Sequence, residues 1–598
     1  METGSHSNPQ GMPPAMTAGS QPRWPLRVND ILVFAVIAVT ACFVVQLIRL
    51  AFFKSYSIDE FTYAHASWLI AHGRLPYRDF FCHHFPFHLY LMALPFLILG
   101  DDPNNILYLR LLTLPFVGLI ALTTWYINRR QDRYWALATP LLLCSALPFA
   151  AYATENRPDP IAMALCLSAA ALLSASWPRA RLRGILAGLL VGLAIWSSEK
   201  VLCYGAVFAA AFALDVFYNW RRKRGCLLAN PWTFLLGTAL VLAVVFSHLV
   251  LTHSWSPWLL WSVRFTRVYQ DFYPGFSRTT YVVENYSTLG WLAVFALVGL
   301  TETIVRLVQL GGDGWRHPDG IVAGMVPTTL ASYALQRAPY PYSLVPVIAV
   351  LSIFSARGLA STVRFFVQSE RLSRPIRILF LSAVSLFLAG QLFVIYGKFD
   401  QRLAVSNAYQ REVLSAINEL TGPDDLIYDN SGSFVSRPHL SFYYFRNAFM
   451  RQAMRKDLIE DEPASIMNQR CTVFLCDLRF KSLPASLKRF IVDNSVPFND
   501  DLRFWGRRYE VGAEHTLNAF FYAPRDGKYF VEPALVLDQG TLLVDGTRVN
   551  GAVFELRKGT RNIHYEGKGG EFFLVWLPRN GRPFVPLRQV TPHFSILL

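Results

Sequence analysis

Residues 31–60, ILVFAVIAVTACFVVQLIRLAFFKSYSIDE, join a long apolar run to two adjacent carboxylates, Asp59 and Glu60. A helix of about 20 apolar residues crosses the hydrocarbon layer of a bilayer. The run over 31–53 is therefore predicted to be a membrane helix that ends at the bilayer surface, just before the acidic pair. The rest of the chain decides whether this helix is a single anchor or the first of many spans.

The composition is that of a polytopic membrane protein. Of the 598 residues, 53% are hydrophobic and only 16% are charged, and the mean hydropathy is +0.29. The net charge of +15 comes from Lys and Arg residues in short clusters between apolar runs. Such clusters are typical of orientation signals, so we expect the lipid bilayer, and no nucleic acid, as a partner.

Hydropathy predicts eleven membrane spans before residue 400. They cover residues 31–53, 105–127, 134–152, 159–176, 184–199, 201–219, 232–252, 287–308, 320–336, 340–356 and 376–396. Alternate loops are rich in Arg and Lys, which the positive-inside rule places in the cytoplasm. The prediction is a multi-pass membrane protein with a cytoplasmic N-terminus and an extracytoplasmic C-terminal region.

Four regions follow from this pattern. Residues 1–23 are rich in Gly, Pro and Ser and are predicted to be a disordered cytoplasmic tail. Residues 24–397 form the transmembrane domain, and its first external loop is aromatic enough to form helices in the membrane interface. Residues 398–500 read as an α/β region. Residues 501–598 alternate apolar and polar residues between Gly turns, which predicts a β-sandwich that is either a structural cap or a carbohydrate-binding module.

Charged residues recur at the junctions that should face outside. The predicted junctions carry Glu155, Arg157 and Asp159 before one span, Lys200 before another and Arg337 before a third. These junctions are too short to leave the interface, so their charges should meet one another or a bound ion. Taken singly, they have plainer interpretations: Arg157 in an ion pair with a neighbouring carboxylate, and Lys200 as an anchor reaching the lipid head groups.

The order of these motifs resembles bacterial GT-C membrane glycosyltransferases of the protein O-mannosyltransferase and lipid A aminoarabinose transferase type. The resemblance covers roughly residues 30 to 400. It is carried by IDEF (58–61), HASWLIAHGRLPYRDFFCHHFP (65–86), ENRPDP (155–160), GLLVGLAIWSSEK (188–200) and RAPYPYSLVPV (337–347). One departure is HHFPF, where members often show a His-Pro-Pro pattern.

The resemblance implies a GT-C fold and transfer of one sugar from a polyprenyl-phosphate carrier to an extracytoplasmic hydroxyl or amine, with inversion. A weakly nucleophilic acceptor needs a general base, for which Asp59 is the matching residue, with Glu60 or Asp159 orienting the acceptor or sharing its proton. Cations should stabilise the charge that develops on the departing phosphate. The expected phosphate ligands are Lys200, Arg337 and Arg157, and the expected donor or acceptor contacts are His83, His84, Tyr77, Arg78, Glu155 and Tyr269.

No cofactor is required by this chemistry. A divalent metal on the carboxylates and histidines is conceivable, but no ligand spacing supports one. Two other functions remain open, besides an inactive scaffold that uses its external domain as a binding module. The first is an oligosaccharyltransferase or ligase that uses a pyrophosphate-linked glycan, and the second is a transporter or flippase for lipid-linked sugars, although no internal repeat typical of transporters is visible. The acceptor and the sugar are not specified by the sequence.

Overall fold

The computed structural model describes residues 26–175, 179–222, 230–272, 286–311, 317–337, 340–369, 372–453 and 461–591. The predicted tail of residues 1–23 lies outside these ranges. The N-terminal part of the chain is helical. Its first helices are α1 Leu26–Phe53, α2 Ile58–Ala71, α3 Phe87–Met92, α4 Leu94–Leu99, α5 Asn105–Arg129, α6 Ala138–Ser145, α7 Leu147–Ala153, α8 Pro158–Ser174, α9 Ala180–Ser197, α10 Val201–Tyr204 and α11 Ala206–Arg222. They are followed by α12 Pro231–Leu251, α13 Trp255–Trp258, α14 Thr266–Gln270, α15 Tyr286–Gln309, α16 Pro318–Leu335, α17 Val345–Gln368 and α18 Arg374–Leu403.

Each of the eleven predicted spans corresponds to a helix or to consecutive helices of this set. Within the described residues, eight helical segments are long and apolar enough to cross a membrane, and the α6–α7 pair, bent by 68°, makes a ninth. The remaining two predicted spans correspond to α8, an apolar helix of 17 residues, and to α16. The protein is therefore a polytopic α-helical membrane protein.

Glycines allow close packing in two helix pairs, α9 with α12 and α15 with α17. A Cβ on Gly188 in α9 would lie 2.1 Å from the carbonyl oxygen of Phe234 in α12, and one on Gly358 in α17 would lie 1.9 Å from that of Phe295 in α15. Small residues allow such backbone contact between membrane helices. Any larger side chain at Gly188 or Gly358 would push these pairs apart.

The C-terminal region combines short helices with two sheets. Its helices are α19 Ala408–Leu420, α20 Ala448–Ala453, α21 Glu462–Asn468, α22 Ala485–Asp493 and α23 Val536–Gln539. Its strands are β1 Ile427–Tyr428, β2 Val473–Leu475, β3 Ser495–Pro497, β4 Leu502–Val511, β5 Thr516–Ala523, β6 Gly527–Glu532, β7 Gly540–Val544, β8 Thr547–Arg548, β9 Val553–Leu556, β10 Gly559–Gly567 and β11 Gly570–Trp576.

One sheet joins the two predicted C-terminal parts. It has the order β1-β2-β4-β11-β6-β9, with β3 also paired to β4, and the second sheet has the order β5-β10-β7-β8. The strands β1 and β2 are parallel, whereas β2 and β4 are antiparallel. The α/β region predicted for residues 398–500 and the β-rich region predicted for residues 501–598 therefore share hydrogen bonds across residue 500.

The helix α2 lies beneath this C-terminal region. The sequence predicted a helix in the membrane interface, but most residues of α2 are buried inside the protein, because the segment after β1 covers them. The hydroxyl of Thr62 donates to the carbonyl of Ser431 at 3.1 Å. His65 is fully buried, and its Nδ1 lies 2.7 Å from the carbonyl oxygen of Val435.

Two buried histidines at this contact predict loss of stability in acid. Burial lowers the pKa of His65 from 6.5 to about 3 and that of His439 from 6.5 to about 4. The unfolded chain thus binds more protons than the folded one below pH 6.5, so stability is complete above 6.5 and falls as the pH drops towards 4. Linkage gives about 1.4 kcal/mol per pH unit for each histidine.

The measurement is the unfolding temperature of the detergent-solubilised protein from pH 7.5 to pH 4.5. The pH dependence should be smaller in His65→Gln than in the wild type and unchanged in His515→Gln, because His515 is exposed. A wild-type unfolding temperature that is the same at pH 7 and pH 5 would contradict the prediction.

Candidate active site

One cavity of about 550 Å³ lies where loops between the membrane helices meet the C-terminal region. The membrane part contributes charged side chains from four places: Asp59 at the start of α2, Arg157 before α8, Lys200 before α10 and Arg337 after α16. The C-terminal region contributes Arg479. The four junctions that the sequence predicted to share one side of the membrane thus line a common space.

Asp59 has the geometry of an accessible acid group. Its side chain is 27% exposed and faces the cavity, and Arg157 Nη1 donates to its Oδ2 at 2.8 Å. Within the described ranges, Asp59 Oδ1 has no hydrogen-bond partner. One carboxylate oxygen is therefore held by a cation, while the other can accept a proton from a bound molecule.

Arg157 belongs to a buried ion-pair network behind Asp59. Its Nε donates to Glu155, its Nη2 donates to the hydroxyl of Ser57 at 3.2 Å, and Lys54 contacts the other oxygen of Glu155. Glu155, Arg157 and Lys54 are each less than 5% exposed. Breaking a buried charge pair costs several kcal/mol, so this network fixes the orientation of the Arg157 guanidinium.

Glu60 differs from its neighbour Asp59, although the sequence suggested a catalytic role for both. It is fully buried and is not among the residues that line the cavity. Arg110 grips both of its oxygens at 2.7 Å, and the backbone N–H groups of Ser57 and Asn156 donate to them as well. Glu60 thereby closes a capping box at the start of α2. Because no lone pair of Glu60 faces the cavity, we assign it a positioning role instead.

Asp159 and Lys200 form a second pair at the cavity wall. Lys200 Nζ donates to Oδ1 of Asp159 at 2.9 Å and lies 3.2 Å from Oδ2. The ring of Tyr342 lies against two of the lining cations, 4.0 Å from the Arg157 guanidinium and 4.8 Å from Lys200 Nζ. Asp159 is 2% exposed, so it is placed to hold Lys200 rather than to meet an acceptor.

His83 and His84 lie side by side in the lining. Their ring centroids are 3.9 Å apart, and His84 Nδ1 lies 3.5 Å from Glu199 while its Nε2 lies 3.5 Å from the hydroxyl of Tyr63. Burial, and next the neighbouring His84, hold the pKa of His83 well below its ordinary value. His83 is therefore neutral at neutral pH and offers a hydrogen bond rather than a charge.

Arg337 and Tyr269 lie at the rim. Arg337 is half exposed, and its Nη1 lies 2.7 Å from Asp271, which is also exposed. Tyr269 is buried, packs edge-on against His83 at 6.0 Å and receives a hydrogen bond from Asn447 at 3.5 Å. Arg337 is thus less firmly held than Arg157 or Lys200.

Two predicted contact residues lie outside the lining. Tyr77 is buried, and its hydroxyl donates to the carbonyl of His84 at 2.6 Å, so it supports the histidine loop from behind. Arg78 is exposed and pairs with its neighbour Asp79. The structure brings neither side chain to the cavity, because the turn after α2 directs Tyr77 inward and Arg78 to the surface.

Lys54, Tyr342 and Arg479 are among the lining residues that sequence reasoning missed. Lys54 directly follows the first apolar run, where a lysine usually anchors a helix at the lipid surface. Tyr342 stands in the RAPYPYSLVPV motif and could have been noticed there. Arg479 has no local signal, because only the fold brings the segment after β2 to the membrane helices.

Within the described residues, no group of three or more His, Cys, Asp or Glu side chains has the arrangement of a metal site. Of the side chains that the sequence offered as ligands, Glu60 is engaged by Arg110 and Asp159 by Lys200.

Comparison with known proteins gives similarity to solved structures only. No family model and no curated protein sequence matches the chain. ArnT from Cupriavidus metallidurans, solved with undecaprenyl phosphate, matches with a TM-score of 0.48 and 14% identity over 75% of this chain and 94% of that one. The archaeal oligosaccharyltransferase AglB from Archaeoglobus fulgidus matches with a TM-score of 0.43 and 11% identity, over 68% of this chain and 64% of that one.

The arabinosyltransferase EmbB from Mycobacterium smegmatis matches with a TM-score of 0.35 and 12% identity, over 94% of this chain and 65% of that one. These three solved structures are ArnT, an oligosaccharyltransferase and an arabinosyltransferase.

Proposed function

We propose that the protein is an inverting glycosyltransferase that moves a single sugar from a polyprenyl-phosphate carrier to a hydroxyl or amine acceptor outside the cytoplasm. The observation that carries this proposal is the placement of Asp59 in one cavity with Arg157 and Lys200. A proton acceptor and two fixed cations are what such a displacement needs.

In the proposed step, Asp59 accepts the proton of the acceptor hydroxyl as the acceptor oxygen forms a bond to the anomeric carbon. The bond from that carbon to the phosphate oxygen breaks, and its electron pair leaves with the phosphate. The carrier phosphate gains one negative charge, and Asp59 becomes a neutral acid. Attack from the face opposite the phosphate inverts the anomeric centre.

The cations act on the leaving phosphate. Arg157 is oriented by Glu155 and Lys200 by Asp159, so neither must reorganise as charge develops. Fixed donors stabilise the transition state more than the ground state when they face the developing charge. Arg337 at the rim would meet the donor as it enters, and the neutral His83 would donate to the phosphate or the sugar. A phosphate leaves readily, so no separate general acid is needed.

The membrane setting supports a lipid-linked donor. The cavity opens at one end of the apolar helices, beside the C-terminal region. The Arg and Lys clusters in the alternate loops support an orientation with that end outside the cytoplasm, by the positive-inside rule. We therefore place the reaction at the outer face of a bacterial inner membrane, where the donor's lipid chain stays in the bilayer and its sugar phosphate enters the cavity.

The test is to incubate the full-length protein in detergent with a panel of polyprenyl-phosphate sugars and pyrophosphate-linked glycans as donors, and with cell-envelope glycolipids, glycans or proteins as acceptors. The expected result is consumption of at least one donor with formation of free polyprenyl phosphate and an inverted glycoside. In liposomes, movement of the intact donor between leaflets without sugar release would instead show a flippase. Consumption of only pyrophosphate-linked glycans would show an oligosaccharyltransferase or ligase.

A further inference from the structure

More cationic side chains than carboxylates line the cavity. Four carboxylates line it, and each has a basic partner: Asp59 and Glu155 with Arg157, Asp159 with Lys200, and Glu199 with His84. Lys54 also contacts Glu155, and Arg337 has Asp271. In the part of the chain that the structure describes, Arg479 is the lining cation whose side chain contacts no carboxylate.

Arg479 is nevertheless held firmly. Its Nη1 donates to the carbonyl of Asn430 at 3.2 Å and to the hydroxyl of Ser431 at 3.3 Å, and its guanidinium stacks on Phe445 at 4.1 Å. Among the described residues its Nε and Nη2 have no partner. A stacked guanidinium with one edge left over is preorganised for bidentate binding of a phosphate.

The fold explains why this arginine points to the membrane part. Arg479 and the Asn430–Ser431 segment follow the neighbouring parallel strands β2 and β1, so both leave the same edge of the sheet. Ligands commonly bind at the carboxyl edge of parallel strands. Asp477 anchors one segment by accepting the N–H of Arg479 at 2.8 Å and the hydroxyl of Ser433 at 3.0 Å.

The second segment is pinned to the membrane part at Gly432. This residue has a φ of 66°, and a Cβ on it would lie 2.7 Å from the Cβ of His65 in α2. On the cavity side, Phe445 stacks on His83 with centroids 5.7 Å apart, and His83 touches His84, the partner of Glu199. Arg479 therefore lies on a continuous wall that ends next to Lys200.

We propose that Arg479 binds the phosphate of the lipid carrier, so that the C-terminal region completes the donor site. This inference rests on the proposed function, because the phosphate is the obligatory anion of that donor, whereas the acceptor supplies a hydroxyl or an amine. In this arrangement Lys200 and Arg157 of the membrane part bind the phosphate on one side. Arg479 of the C-terminal region binds it on the other side.

The test measures binding rather than turnover. The full-length protein in detergent is titrated with undecaprenyl phosphate and, separately, with undecaprenol, which has the same chain without the charge. We expect the wild type to prefer the phosphate. Loss of one charge-assisted contact in Arg479→Gln should weaken phosphate binding about 10- to 100-fold and leave undecaprenol binding unchanged. Arg479→Lys should recover part of the preference, and Arg489→Gln, on an exposed residue outside the lining, should have no effect.

Three results would overturn the inference. The first is an unchanged preference for the phosphate in Arg479→Gln. The second is an equal loss of affinity for both lipids, which would indicate a structural role. The third is a variant that binds undecaprenyl phosphate with wild-type affinity but requires a higher concentration of an anionic acceptor for turnover. The proposed function is judged separately by donor consumption in the wild type, so it can stand when this inference fails.

Discussion

Replacing Asp59 by Asn is expected to lower turnover of the accepted donor by about 10²- to 10⁴-fold, the usual contribution of a general base. The amide keeps the shape of the carboxylate but cannot take up the acceptor's proton. Arg157 retains Glu155 and Ser57 as partners, so the unfolding temperature and the affinity for undecaprenyl phosphate should change little. Turnover is measured as release of free polyprenyl phosphate under single-turnover conditions.

Asp400→Asn is the matched control. Asp400 also pairs with an arginine, since Arg49 Nη1 lies 3.0 Å from its Oδ1, but the pair is exposed and lies outside the cavity lining. This variant should keep wild-type turnover. Undiminished turnover in Asp59→Asn would remove Asp59 as the base and, with it, the proposed mechanism.

Replacing Glu60 by Gln should, unlike Asp59→Asn, mainly lower the stability of the protein, and by a large amount. Removing one charge from a buried ion pair costs about 3 to 5 kcal/mol, because the guanidinium of Arg110 would remain buried without its counter-charge. The amide also replaces one carboxylate oxygen by an NH2 group, so either the backbone N–H of Ser57 or that of Asn156 would lose its acceptor. The measurement is the unfolding temperature in detergent, which should fall clearly below that of the wild type.

The control for this variant is Glu412→Gln, because Glu412 is an exposed residue of α19 and its replacement should leave the unfolding temperature unchanged. The activity of Glu60→Gln should fall for two reasons only: less of the protein is folded, and the loop around Asn156 shifts. A Glu60→Gln protein with wild-type stability and no turnover would indicate that Glu60 is a catalytic residue and would contradict the positioning role.

The helices of this fold could be predicted from the sequence because apolar runs and turn residues are local signals. The eleven predicted spans all correspond to helices, and even the bent α6–α7 pair falls within a single predicted span. The sheet joining β2 to β4 was not predictable, because the pairing of short strands depends on contacts between distant segments. For the same reason, the burial of α2 beneath the C-terminal region could not be seen in its own aromatic sequence.

The site was predictable where charges interrupt apolar sequence. Asp59, Arg157 and Lys200 stand out because a charge at membrane depth needs a reason, and the structure brings all three to one cavity. Sequence could not separate Asp59 from Glu60, because adjacent residues of a helix point in different directions and only the partner Arg110 reveals which one is buried. Arg479 escaped notice because charge is ordinary in a water-exposed domain.

The order of the larger C-terminal sheet has a consequence for shortened forms of the chain. The strand β11 is the last in the sequence, yet it lies between β4 and β6, and β4 in turn holds β2. A nonsense mutation or a protease cut just ahead of residue 570 would therefore take out an inner strand, not a dispensable tail. The damage would be transmitted through β4 and β2 to Arg479, so an enzyme lacking its final thirty or so amino acids should be inactive even with every membrane helix intact.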